Sequence, residues 1–121
     1  MAVELTLAFP PPLLSPNARP HRYAKSRAVR DYKDYCWYAT RSEMNRLSLH
    51  ALAPPVKAEI VFVVKNMRRD LDNCLASFKA GLDGIVASGL LVDDNAKALT
   101  ISASVIKGTA EEVRIRLEGA I

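Results

Sequence analysis

The nine residues KAEIVFVVK (residues 57–65) decide the fold, because they predict a strand with apolar side chains on both faces. Successive side chains of a strand point to opposite faces of its sheet. One face here carries four apolar residues: Ala58, Ile60, Phe62 and Val64. Val61 and Val63 lie on the other face. Coverage on two sides is typical of a central strand in an α/β protein, so we predict a sheet built around this segment.

The flanking segments predict further strands and helices. Alternation of apolar and polar residues over residues 3–9 indicates a first strand, ended by three prolines. Segments 98–107 and 112–118 predict two final strands, which the glycine-containing link at Gly108 joins as a hairpin. Helical spacing predicts one helix over residues 27–49, with Ser26 as its N-cap, and a second that ends at Gly89.

These elements predict one α/β (α+β) domain over residues 1–121, in the order β-α-β-α-β-β. The domain is a small mixed sheet of about four strands with two main helices. The length suits a single core. No apolar run of about 18 residues occurs, so we expect no membrane contact. Two widely spaced cysteines, Cys36 and Cys74, favour reduced core thiols and a cytoplasmic location over a disulfide.

A short acidic motif follows the central strand: Arg68-Arg69-Asp70-Leu71-Asp72-Asn73. If this segment is extended, Asp70 and Asp72 share a face. Two neighbouring carboxylates repel each other unless a proton or a cation lies between them. Oxygen ligands suit Mg²⁺, with Arg68 and Arg69 available for phosphate oxygens. The alternative is that Asp72 or Asn73 only caps the following helix and stabilises its dipole.

A second acidic pair, Asp93-Asp94, is followed by Asn95. Asp and Asn dominate turns, so a plain turn between helix and strand is the first interpretation of this segment by itself. A strand that follows the turn and pairs beside the central strand would bring the second pair to the edge that carries the first. This geometry makes the pair a candidate part of the same site.

Basic residues are concentrated between residues 19 and 33 in a chain of net charge +4 and pI 9.3. Residues 10–26 contain prolines and no periodicity, which predicts a long loop. Cations, amides and interleaved aromatic rings suit nucleic-acid binding. A solvated loop has a similar composition. The candidate DNA-binding residues are Asn17, Arg19, Arg22, Lys25, Arg27, Arg30 and Arg68.

The combined motifs resemble the RusA family of Holliday-junction resolvases. The resemblance rests on residues 69–73, on Gly89-Leu90-Leu91-Val92-Asp93-Asp94, and on an opening Phe9-Pro10-Pro11-Pro12 followed by Ser15-Pro16-Asn17. It covers nearly the whole chain in order and spacing. It implies a homodimeric, Mg²⁺-dependent endonuclease, with Mn²⁺ as a substitute metal, that cuts four-way DNA junctions symmetrically in recombination and repair.

The resemblance also implies roles for particular residues. Asp70, Asp72 and Asp94 would be the catalytic metal ligands, supported by Asn73, Arg69 and Asp93. The family has a lysine one helical turn after the second aspartate, where this chain has Ala76. Lys79, one turn further, or the basic segment could supply that charge, or it could be missing. A less selective nuclease for branched or flap DNA, and a non-catalytic DNA-binding module, remain as alternatives.

Overall fold

A computed structural model describes residues 1–19, 21–93 and 95–120, which form a four-stranded mixed sheet and three α-helices. The predicted class and element order are confirmed. A 3₁₀ turn at Pro12–Leu14 also follows the first strand. The elements are β1 (Ala2–Ala8), α1 (Arg22–Arg46), β2 (Val56–Val64), α2 (Leu71–Ser77), α3 (Lys79–Ala87), β3 (Leu99–Lys107) and β4 (Glu112–Glu118).

The strand order is β1-β4-β2-β3, with β4 antiparallel to both of its neighbours and β3 parallel to β2. The predicted interior position of β2 is confirmed. The predicted β3–β4 hairpin is wrong, because β2 lies between these two strands. Their link crosses the end of β2, where the Gly108 N–H donates to the Val64 carbonyl over 2.8 Å. A Cβ at Gly108 would lie 2.4 Å from Val63 Cγ1, so a side chain at this crossing would displace that of Val63.

One face of the sheet carries the hydrophobic core. Alternate residues of β1 and β4 are buried while those between them face outward. At the centre, the ring of Phe78 packs edge to face against Phe62 and Tyr32, with centroids 6.1 and 6.2 Å apart. The opposite face of β2 is only partly covered: Val63 is buried, whereas Val61 is half-buried and Glu59 is exposed.

The helix boundaries differ from the predicted ones. Helix α1 begins five residues early, because His21 Nδ1 accepts a hydrogen bond from the Tyr23 N–H and caps it in place of Ser26. The predicted second helix is divided into α2 and α3 at Phe78, whose side chain enters the core. Close packing of α1 on α3 requires Gly84, since a Cβ there would lie 2.3 Å from the Lys33 carbonyl oxygen.

Both cysteines are free and buried, in agreement with the prediction of reduced core thiols. Burial raises the pKa of the Cys36 thiol from its ordinary 9.0 to about 12. In the part of the chain that the structure describes, no helix is both long enough and apolar enough to cross a membrane.

Candidate active-site cleft

A polar cleft of about 400 Å³ lies at one edge of the sheet. Strands β1 and β2 end at this edge and β4 begins there, since Ala8 and Val63 both pair with Glu112. Three segments that are distant in sequence therefore meet. The cleft is lined by Phe9, Pro10, Pro11, Pro12, Ser15, Asn66, Arg68, Arg69, Asp70, Asn73, Cys74, Ser77 and Glu111.

Asp70 occupies the N-cap position of α2 with an extended backbone, at φ −84° and ψ 131°. Its side chain makes no capping hydrogen bond and is exposed to the cleft. The prediction that Asp72 or Asn73 caps this helix is therefore wrong, because both lie inside α2 and Asp70 occupies the N-cap position. The carboxylate oxygens of Asp70 are therefore available to a ligand in the cleft.

Asp72 does not share the face predicted for it. Helix α2 begins at Leu71, so Asp72 lies in its first turn, where each residue rotates the chain by about 100° instead of alternating between two faces. Asp72 is exposed and does not line the cleft. The expectation that an extended segment presents both carboxylates side by side is therefore wrong.

Arg69 is held inside the cleft by two contacts. Its guanidinium donates to Glu111 Oε1 over 3.0 Å and lies 4.7 Å from the centre of the Phe9 ring. Glu111 was not predicted, because only the position of β4 beside β2 brings it to this edge. Arg68 is exposed, and its backbone N–H donates to Asn66 Oδ1 over 3.0 Å. The two arginines therefore differ: Arg69 is fixed and Arg68 projects into solvent.

The remaining wall of the cleft belongs to α2. Asn73 lines it, and its backbone carbonyl accepts a hydrogen bond of 2.8 Å from Ser77 Oγ. Burial raises the pKa of the Cys74 thiol, and the nearby Arg69 charge only partly opposes this shift. Cys74 is therefore a protonated thiol at neutral pH and not a nucleophile.

The segment that contains Asp93 and Asn95 is anchored at the other end of β2. Asp93 Oδ2 accepts a hydrogen bond from Asn95 Nδ2 over 2.8 Å, and the Val56 N–H donates to the Ala98 carbonyl. Because β3 is parallel to β2, it begins beside the start of β2, opposite the edge with Asp70. Strand pairing therefore does not bring Asp93, the described member of the second pair, to the edge that carries Asp70. Asp94, the predicted third ligand, lies outside the described residues.

Within residues 1–19, 21–93 and 95–120, no three acidic, histidine or cysteine side chains are grouped as a metal site would require. Asp70 is thus the one predicted metal ligand that the structure places in the cleft. The cleft adds Glu111, paired with Arg69, as an acidic group that was not predicted.

The predicted DNA-binding residues lie along the start of α1. Arg22, Lys25, Arg27 and Arg30 are exposed on this helix, and Asn17 and Arg19 are exposed just before it. The predicted loop is thus shorter than expected. Arg22 also stacks on Tyr23, 5.0 Å from the ring centre.

A second cavity, of about 290 Å³, adjoins the cleft through Ser77, which lines both. Lys25 and Lys79 line this cavity together with Ala76, where the resembled family has its lysine. Lys79 donates to Asp83 over 2.9 Å. Two lysines from different helices therefore place positive charge around the position of the missing one.

Comparison with profiles of known protein families gives no match, and comparison with curated protein sequences gives none either.

Proposed function

We propose that the protein is a Mg²⁺-dependent endonuclease that cuts four-way DNA junctions in recombination and repair. The observation that carries the proposal is the Asp70 carboxylate, which faces a polar cleft and makes no capping hydrogen bond, with Arg68 and Arg69 beside it. The resemblance of its motif to the RusA family supports the choice of substrate.

The oxygen donors in the cleft are of the kind that a hard divalent cation takes. Asp70 opens into the cleft and Asn73 adds an amide, while Asp72, two residues after Asp70, is exposed outside the cleft lining. Asp70, Asp72 and Asp94 would hold the ion, with Asp93 beside them, as the resemblance implies. When bound, Mg²⁺ withdraws charge from the phosphate and acidifies a water molecule.

The chain's own cations would bind and orient the DNA. Arg69, fixed by Glu111 and Phe9, presents a guanidinium of defined position to a phosphate oxygen. Arg68 and the exposed basic residues of α1 would contact neighbouring phosphates, and these contacts favour binding without reading sequence. Lys25 and Lys79 would supply the charge that Ala76 lacks.

The decisive experiment measures cleavage and binding separately. Asp70→Asn is compared with wild type and with Asp34→Asn, which alters an exposed carboxylate on α1 outside the cleft. Substrates are a synthetic four-way junction, a flap and a linear duplex, with Mg²⁺, Mn²⁺ or EDTA. We expect Asp70→Asn to lose at least 100-fold in junction cleavage while it binds DNA normally in EDTA. Wild-type cleavage by Asp70→Asn would contradict the catalytic role.

The same substrates test the less selective nuclease. If the flap or the duplex is cut as fast as the junction, the protein is a less selective nuclease and not a junction resolvase. Symmetric paired nicks would support two sites in a two-fold dimer.

A non-catalytic DNA-binding module is the second candidate. The observation that favours it is that Asp70 and Asp72 both lie at the N-terminus of α2, where the helix dipole stabilises negative charge without a metal. This module would bind the junction but would not cut it in the presence of Mg²⁺ or Mn²⁺. Asp70→Asn would leave its DNA binding unchanged.

A further inference from the structure

The last residue of β1 is held by two hydroxyl groups of helix α1. Tyr32 Oη donates a hydrogen bond of 2.7 Å to the Ala8 carbonyl, and the Ala8 N–H donates one of 2.9 Å to Tyr35 Oη. Strand β1 lies at an edge of the sheet, where β4 pairs with its inner side. The tyrosines thus take the place of a neighbouring strand for both backbone groups of Ala8. They fix the point at which the chain leaves the sheet.

The residue that follows this point is part of the cleft wall. The Phe9 ring lies 4.7 Å from the Arg69 guanidinium and packs edge to face against Phe62, with centroids 6.1 Å apart. Phe9 and Pro11 also line a groove of about 360 Å³, whose remaining walls are Ala8 and four residues of α1: Ala28, Asp31, Tyr32 and Tyr35. Phe9 therefore borders both helix α1 and the cleft that contains Arg69.

The two tyrosines differ in how they are held. Tyr32 is 5% exposed, and its ring packs against Phe78. A Cβ at Gly81 would lie 2.8 Å from Tyr32 Cε2, so α3 packs directly on this ring. Tyr35 stacks on Tyr32 with ring centroids 5.9 Å apart, and it is 41% exposed. Removal of the Tyr35 hydroxyl therefore breaks one contact to Ala8 without opening the core.

We propose that Tyr35 is a positioning residue for the Arg69 guanidinium. Its hydroxyl holds the backbone of Ala8, which sets the position of the Phe9 ring. A cation is attracted to an aromatic ring only within about 6 Å of the ring centre, so the place of the ring decides where the guanidinium is held. A phosphate then meets a guanidinium that is already ordered, and less entropy is lost on binding. This role rests on the proposed function, in which Arg69 contacts a DNA phosphate.

A purely structural role for the Tyr35 hydroxyl makes a different prediction. If the hydroxyl only stabilised the edge of the sheet, its loss would affect DNA binding equally with and without the Arg69 side chain. If it acts through Arg69, its loss has no effect once that side chain is absent. A double-mutant cycle separates the two roles, because it measures only the coupling between the two residues.

The test measures the Kd of the full chain for a synthetic four-way junction in EDTA. Tyr35→Phe is compared with wild type and with Tyr38→Phe, which removes a hydroxyl from a 69% exposed ring on the same helix, outside the cleft lining. We expect Tyr35→Phe to bind about threefold to fivefold more weakly, the effect of one lost hydrogen bond. Tyr38→Phe should bind as wild type does. In an Arg69→Ala background, Tyr35→Phe should change the Kd by less than about 1.5-fold.

Amide hydrogen exchange tests the first link without DNA. Tyr35→Phe should increase exchange of the Ala8 N–H by about tenfold or more, while exchange in β2 stays as in wild type. Unchanged exchange at Ala8, or an equal loss of binding with and without the Arg69 side chain, would overturn the positioning role. A wild type that binds the junction but does not cut it in Mg²⁺ would contradict the nuclease alone and leave this role supported by the cycle.

Discussion

The core face of β2 and the segment that follows β2 contribute differently to the protein. The core face packs against the rest of the hydrophobic core, and the following segment leads into the cleft. Phe62 is fully buried between β4 and the helices, in contact with Phe78 and Phe9. Eight residues later, Asp70 is exposed. Stability should therefore depend on the first region and ligand binding on the second. Four measurements test this separation.

The largest expected effect is that of Phe62→Ala. Removal of a fully buried phenyl ring from the core should lower the free energy of unfolding by about 3–5 kcal/mol. Val61→Ala, one residue away on the half-buried face, should cost much less and serves as the control. Urea unfolding followed by circular dichroism measures both. Equal losses would show that the two faces of β2 contribute alike.

The second largest expected effect is a loss of folding stability at alkaline pH. Burial raises the pKa of Cys36 to about 12 and raises that of Tyr32 as well, so the unfolded chain loses these protons first. Stability should be intact below about pH 9 and fall as the pH rises towards 12, by roughly 1.4 kcal/mol per unit for Cys36. Cys36→Ser should flatten this slope in urea titrations at several pH values. An unchanged slope would assign the loss to other groups.

In the cleft, Glu111→Gln should cost only about 0.2–1 kcal/mol, because its ion pair with Arg69 is partly exposed. The control is Glu112→Gln, which removes a comparable pair with Arg114 outside the cleft. Under the proposed function, only Glu111→Gln frees Arg69 and alters junction binding. Salt-dependent binding curves of the two variants distinguish these outcomes, and equal curves would contradict a positioning role for Glu111.

The smallest expected effect on stability is that of Asp70→Asn. Its carboxylate makes no capping hydrogen bond, so the variant should unfold within about 0.5 kcal/mol of wild type. Thermal and urea unfolding without metal measure this difference. A loss above about 2 kcal/mol would show that Asp70 supports the fold and would weaken the comparison.

The sequence predicted the elements correctly where a repeating pattern extends over the whole element. The apolar period of two located β1, β2 and β4, and helical spacing located α1 and the region of α2 and α3. The predicted N-cap at Ser26 is wrong, since His21, five residues upstream, caps α1. The predicted single helix is also wrong at Phe78, because a bulky residue that fits the helical pattern can still end one helix and begin the next.

The candidate site shows the same division. The sequence indicated Asp70, Arg68, Arg69 and Asn73, which are adjacent in the chain and line one cleft. It misplaced Asp72, because the start of α2 changes the direction of successive side chains within two residues. It could not find Glu111, since 41 positions separate it from Asp70.

The sequence by itself determined which segments form strands and helices and which face of each is apolar, because those properties depend on neighbours a few residues away. Only the tertiary structure decided that β4 lies between β1 and β2, that β3 is left at an open edge, and that the two acidic motifs begin at opposite ends of β2. Strand order depends on contacts between distant residues, and no local pattern encodes it.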